Sequence, residues 1–119
     1  GVRAVEEKMK EISVAEFEKW LDNNEDIQII DVREPEEYQQ VNIGALLVPL
    51  ATIKERAAEI RKDKKVVVHC KAGGRSAKAI RELQDAFGFD NLYNLKGGII
   101  AIEHETSILS KKRSTAEAV

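Results

Sequence analysis

The chain predicts an α/β domain: a central, mainly parallel sheet with helices on both faces. Three observations carry that expectation. Short apolar, β-branched runs alternate with helical patterns along the chain. The run Val66-Val67-Val68-His69 is apolar on both faces, as a central parallel strand must be. The length of 119 residues supports one hydrophobic core and not two.

The elements follow in order. Residues 1–11 are charged and weakly patterned, and read as a leader or interdomain linker. Ser13 with Glu16 is a capping box, in which each side chain satisfies an orphan amide at a helix start. Val14, Phe17, Trp20 and Leu21 then share one helical face, and the polar stretch 22–26 ends the helix. Residues 27–32 form a buried strand that ends in charge. Pro35 suits the first turn of a short helix over 36–40. Gly44 marks a turn, and 46–48 is a strand closed by Pro49. Thr52 and Glu55 suggest a second capping box, opening a helix to about Ile60 with the charges of 55–61 on its exposed face.

A charged turn over 62–65 leads into the central strand 66–69. The loop 70–75 leaves no room for regular structure. A helix is expected from Ser76 to Phe87, with Ile80, Leu83 and Phe87 on one face and Gly88 as its C-cap. Residues 91–95 form a last strand, and Gly97-Gly98 opens a short helix through His104. Residues 110–119 read as a loose tail, in which Lys111-Lys112-Arg113 is a solvated charge run rather than a targeting signal.

Composition narrows the function. The hydrophobic fraction is 43% and the charged fraction 34%, as in a folded soluble domain. Nineteen basic against 21 acidic residues give a net charge of −2, which argues against a nucleic-acid partner. No apolar run approaches the roughly 20 residues that span a bilayer, so no membrane partner is expected. The charged first ten residues carry no signal-peptide pattern, and the start at Gly1 reads as a fragment or a processed product. The single cysteine, Cys70, permits no intrachain disulfide and no cysteine-only zinc site. That suits a reducing, cytoplasmic location, and no metal site is expected.

In α/β sheets, sites lie beyond the carboxyl ends of the strands. Two strand ends stand out here: Asp31 to Arg33, and Cys70 to Ser76. In the second, a cysteine opens a tight loop, Gly73 and Gly74 bend it, and Arg75 closes it. Glycines tolerate positive φ, so successive amides can turn inward to form a nest for negative charge. The following helix adds its positive end, and Lys71 and Arg75 add charge nearby. A thiol there ionises more readily than a free cysteine. A free cysteine is most often a buried core residue. Opening a glycine-rich loop between a strand and a helix reverses that reading and makes Cys70 a candidate nucleophile.

The segment His69-Cys70-Lys71-Ala72-Gly73-Gly74-Arg75-Ser76 resembles the active-site loop of rhodanese-domain sulfurtransferases, written C-x-x-G-x-R-[ST]. Ile30-Asp31-Val32-Arg33-Glu34-Pro35-Glu36-Glu37-Tyr38 resembles a second family segment, D-V-R-x-x-x-E-[YF]. Asn94-Leu95-Lys96-Gly97-Gly98-Ile99 resembles a third, a strand leading into a G-G turn. The resemblance covers about residues 12–105 and implies a rhodanese-like fold of about five short strands, with the domain over 12–109.

The resemblance also implies the chemistry. Cys70 would carry sulfur as a covalent persulfide, with no other cofactor. Lys71, Ala72, Gly73, Gly74, Arg75 and Ser76 would form the cradle, with Arg75 orienting the loop or attracting an anionic donor. Asp31 and Arg33 would support the pocket from behind, Asp31 near its mouth and Arg33 in an ion pair with Glu37. His69 precedes the nucleophile on a strand, so its side chain should point the other way. Because the chain has no second thiol, sulfur must leave to an outside acceptor, and an open, exposed pocket is expected.

Within the family, the segments 34–38, 42–50 and 67–71 are most similar to the C-terminal domains of ThiF/MoeB-type adenylyltransferases. A small donor such as thiosulfate or a desulfurase persulfide is implied by the family resemblance as a whole, and the likeness to this subgroup goes further. It also implies a ubiquitin-like sulfur carrier as acceptor, in molybdopterin or thiamine synthesis, and fusion to an adenylating domain. The chain departs from the family where Val41-Asn42-Ile43 replaces Gly-His-Ile, and at Ile102, near which a tryptophan is common. A looser last helix or altered packing is expected there. Two alternatives remain at this point. One is a cysteine phosphatase or arsenate reductase, although the phosphatase loop H-C-x-x-x-x-x-R-[ST] holds five residues between cysteine and arginine and this chain holds four. The other is a regulatory rhodanese-like domain that binds without catalysis.

Overall fold

The computed structural model describes residues 9–110. The expectations for 1–8 and 111–119, including Lys111-Lys112-Arg113, lie outside the described residues. Five strands, β1 (Lys10–Ile12), β2 (Ile27–Asp31), β3 (Leu46–Leu47), β4 (Lys65–His69) and β5 (Leu92–Leu95), form one sheet in the order β1-β5-β4-β2-β3. Every neighbouring pair is parallel. Three helices lie between strands, α1 (Val14–Asp22), α2 (Pro35–Gln40) and α3 (Gly74–Phe87), and α4 (Gly98–Glu105) follows β5.

The apolar pattern of β4 divides the core in two. Val66 and Val68 face one side with Ile30, Val32 and Leu92, and pack under Ala79, Ile80 and Leu83 of α3. Val67 faces the other side, with Ile12 and Leu95, under Phe17 of α1 and Ile99 and Ile102 of α4. Phe17 is fully buried, and burial of a side chain of that kind stabilises by about 1.5–3 kcal/mol. Ser13 caps α1, its Oγ accepting the Glu16 N–H at 3.1 Å, which is the Ser13 half of the expected capping box.

Four expectations are corrected. Strand β1 begins at Lys10, inside the segment read as a leader. Three residues are too few for a periodic signal, and pairing with β5 defines the strand. The helix expected over 52–60 is replaced by two 3₁₀ turns, Leu50–Thr52 and Ala57–Glu59, and Ile53 and Ile60 are buried in the core from this irregular segment. Phe87 does not share the buried face of Ile80 and Leu83. It lies exposed at the end of α3, edge-on to Phe89, which takes the core position instead. The last helix is not loose either, since Ile102 is fully buried without a tryptophan. At 41–44 the loop is set by Asn42, whose Oδ1 accepts the Gly44 N–H at 2.8 Å and whose Nδ2 donates to the Tyr38 carbonyl at 3.0 Å.

Candidate active site

Strand β4 delivers Cys70 to the carboxyl edge of the sheet, and α3 begins only four residues later. Cys70 continues the face of Val66 and Val68, so its side chain turns toward α3. The loop then bends at Gly73, whose φ of +118° suits glycine alone. Gly74 is already helical and meets no neighbour, so only one of the two loop glycines supplies the bend.

The bend aims donors at sulfur. The Gly73 N–H donates to Cys70 Sγ at 3.0 Å, and Ser76 Oγ lies 3.4 Å from Sγ. Burial pushes the thiol up. Hydrogen bonds from the Ser76 hydroxyl and from the amides of Ser76, Gly73 and Ala72 outweigh it and bring the thiol below its ordinary value. The first turn of α3 adds its positive end to the same place.

The loop is also held from beneath. The Ile99 N–H donates to the Cys70 carbonyl at 3.0 Å, and the Ile100 N–H to the Lys71 carbonyl at 3.2 Å. The first turn of α4 thus pins the base of the cradle. Gly98 permits this approach: its φ is +58°, and a Cβ there would come within 2.4 Å of the Lys71 carbonyl oxygen and 2.6 Å of that of Cys70.

Each expected site residue has a place. Ala72, Gly73 and Ser76 line the sulfur, whereas Lys71 and Gly74 are exposed on the rim. Arg75 does not reach into the cradle. Its Nη1 and Nη2 donate to Glu37 Oε1 and Oε2 at 2.7 and 2.9 Å, which raises the guanidinium's pKa. Glu37 is therefore paired with Arg75 and not with Arg33, and its carboxyl is lowered to about 2.

Asp31 and Arg33 are corrected with it. Asp31 is fully buried and alternates with Ile30 and Val32, so it faces the opposite side of the sheet from Sγ, not a pocket mouth. Arg33 folds back on it, with Nε and Nη2 on Oδ1 and Oδ2 at 3.0 and 2.8 Å. The same guanidinium reaches the Val41 carbonyl at 2.8 Å, at the end of α2. His69 joins this far face as expected. Its Nε2 stands 3.5 Å from Asp31 Oδ2, and burial holds the imidazole below its ordinary pKa.

The thiol is not open to solvent. Cys70 is 1% exposed and packs into the core cluster under α3, where an open, exposed pocket had been expected. The donors within reach of the sulfur favour its thiolate form.

Two contacts went unread in the sequence. One is the reach of Glu37 across to Arg75, 38 residues away. The other is Asn94, whose Nδ2 donates to the Gly73 carbonyl at 3.2 Å and whose Oδ1 accepts from Ser76 Oγ at 2.5 Å. A signal for the second was present: Asn94 shares a strand face with the buried Leu92, and a buried amide needs partners. Among the described residues, no group of three or more His, Cys, Asp or Glu side chains could hold a metal ion. No helix among them is long and apolar enough to cross a membrane.

The comparisons agree with this geometry. Residues 13–105 match the model of the rhodanese-like domain family. The chain is 38% identical over 94 residues to a sulfurtransferase of Allochromatium vinosum, covering 78% of this chain and 87% of that protein. It is 40% identical over 93 residues to the probable adenylyltransferase/sulfurtransferase MoeZ of Mycobacterium tuberculosis. That match covers 76% of this chain and 24% of MoeZ, so the chain spans about a quarter of that relative. A rhodanese-like domain protein from Staphylococcus aureus superposes with a TM-score of 0.72 at 35% identity, covering 78% of this chain and 90% of that one. The chain belongs to the rhodanese-like domain family.

Proposed function

We propose that this chain is a sulfurtransferase that carries sulfane sulfur as a persulfide on Cys70. The observation that carries the reading is the Gly73 N–H donating to Cys70 Sγ at 3.0 Å, within a ring of amides at a helix start. Such a ring lowers the energy of the Cys70 thiolate, the form that attacks a donor. With thiosulfate as donor, the Cys70 thiolate attacks the outer sulfur. The new S–S bond forms as the donor S–S bond breaks, and sulfite leaves with the electron pair. An acceptor nucleophile then takes the outer sulfur and returns the thiolate. The chemistry resides on Cys70 itself and needs no other cofactor.

A protein acceptor of the ubiquitin-like sulfur-carrier kind is part of the proposal, in molybdopterin or thiamine synthesis. So is an adenylating domain elsewhere in the full-length protein. Both rest on the likeness to MoeZ, which is named for adenylyl and sulfur transfer. A cytoplasmic setting fits a persulfide that must avoid oxidation. The phosphatase reading is disfavoured by Arg75: its guanidinium is held by Glu37 and does not turn over the sulfur to meet a phosphate. Regulatory binding without catalysis is disfavoured by the intact cysteine cradle.

The test is sulfur transfer from thiosulfate to cyanide. The native chain should turn over, and Cys70→Ser should abolish transfer with an unchanged thermal melt. Full activity in Cys70→Ser would end the covalent reading.

A further inference from the structure

The Ser76 hydroxyl has one proton and three acceptors in reach. Asn94 Oδ1 is nearest at 2.5 Å, the Gly73 carbonyl is at 3.1 Å, and Cys70 Sγ is at 3.4 Å. The Gly73 carbonyl already receives the Ala77 N–H and Asn94 Nδ2, each at 3.2 Å. The second of these bonds fixes the amide of Asn94, since its NH₂ is committed to Gly73 and only Oδ1 faces Ser76. Both residues are buried, Ser76 completely and Asn94 to within 5%. The hydroxyl proton is therefore shared between the amide oxygen and the sulfur, with no solvent to replace either.

We propose that Asn94 is a positioning residue for sulfur transfer: it holds the Ser76 hydroxyl proton while Sγ is neutral and yields it to Sγ when the thiolate forms. The inference rests on the persulfide reading above. In the thiol, Cys70 S–H is a donor and Ser76 Oγ its acceptor, so the bonds run from sulfur to hydroxyl to amide. In the thiolate, sulfur is an acceptor only and its charge makes it the stronger one, so the hydroxyl turns toward it. In the persulfide, the charge sits on the outer sulfur, and the inner sulfur no longer competes for the proton. The hydroxyl then returns to Asn94. Ser76 thus stabilises the thiolate as it attacks and again as it departs, and Asn94 sets how strongly that donation is resisted. Asn94 itself never touches sulfur.

The charged groups around Cys70 are Arg75 on α3, fixed on Glu37, the Lys71 side chain on the rim, and the His69, Asp31 and Arg33 cluster behind β4. Substitution at 94 or 76 alters none of them. The test is therefore the pH dependence of Cys70 alkylation by iodoacetamide, which needs no sulfur donor. In Asn94→Ala the nearest acceptor of the hydroxyl proton is gone, and sulfur competes for it only with the Gly73 carbonyl at 3.1 Å. The midpoint should move to lower pH, with alkylation below the midpoint faster by roughly fivefold, the factor of about one ordinary hydrogen bond. Ser76→Ala should move the midpoint to higher pH. In the double variant, Asn94→Ala should add nothing to Ser76→Ala. A shift of equal size with Ser76 absent, or a rise in Asn94→Ala, would overturn the proposal.

Asn94→Asp keeps the side-chain shape and carries the test if Asn94→Ala does not fold. Its oxygen holds the proton more firmly, so the midpoint should rise, and by less in the Ser76→Ala background. An equal rise in both backgrounds would overturn the proposal. A chain that shows this coupling but accepts no sulfur refutes the persulfide reading alone. A chain that accepts sulfur without the coupling refutes the role of Asn94 alone.

Discussion

The carboxylate of Glu37 holds the guanidinium of Arg75 by two bonds, 2.7 and 2.9 Å long, and so ties α2 to the first turn of α3. The Glu37 carboxylate is fixed in turn by the Glu34 N–H at 3.0 Å. This pair bridges two of the three family segments. It anchors the closing end of the cysteine loop to the rest of the domain.

Breaking the pair should therefore affect chemistry more than stability. Its side chains are about one-third exposed, 36% for Arg75 and 30% for Glu37, so its net stabilisation is about 0.5–1 kcal/mol. We predict that Arg75→Ala lowers stability by no more than that in urea titration, and that Glu37→Ala lowers it further because it also removes the bond from the Glu34 N–H. Each should reduce the rate of sulfur transfer by roughly ten- to a hundredfold, up to the cost of a reacting group misplaced by about 1 Å. The double variant should be little slower than either single one, because both remove the same tether.

The same pair sets an acid limit. The Arg75 guanidinium holds the Glu37 carboxyl at about 2, below its ordinary 4.5. A depressed carboxyl contributes stability that is full above its unfolded pKa and fades as pH falls through its folded one. The contribution should thus be intact at neutral pH and lost between about 4.5 and 2. Urea midpoints of the native chain and of Glu37→Gln should differ at pH 6 and converge toward pH 2. A constant difference across that range would contradict the assignment.

The glycines of the site should not behave alike. Gly98→Ala places a Cβ against the Cys70 and Lys71 carbonyls at a φ of +58°. Backbone strain of that kind costs about 1–3 kcal/mol. The clash also pushes the cradle off its support, so transfer should fall as well. Gly74→Ala meets nothing and lies in a helix, so it should stabilise by about 0.4–1 kcal/mol. Thermal melts of the two variants, with transfer rates, check both signs.

What the sequence disclosed follows from where its signals are local. Val66 to His69 announce a central strand by composition, and the Cys70 loop announces its chemistry because all its donors lie within seven residues. Among the described residues, four of the five strands and the helices α1 to α4 are legible in this way. Strand β1 was not, because three residues carry no period and only pairing with β5 creates it. Asp31 and Arg33 are legible as the charged end of a buried strand, but not their pairing with each other. The sheet face they occupy depends on the pleat, and it sets them behind β4 and away from the sulfur. The burial of Cys70 was also invisible, because it depends on packing into the core cluster under α3. Asn94 had only its polarity to mark it, and its meaning depends on Ser76, which lies 18 residues earlier on a helix.

The central claim is that Cys70 carries transferable sulfur. The intact mass of the native chain and of Cys70→Ser, taken after incubation with thiosulfate or with a cysteine desulfurase and cysteine, tests it most directly. The account predicts a gain of one sulfur atom on the native chain from at least one of these donors. It should map to Cys70, be removed by a reducing agent, and be absent from Cys70→Ser. No gain from either donor, or an equal gain in Cys70→Ser, would contradict it.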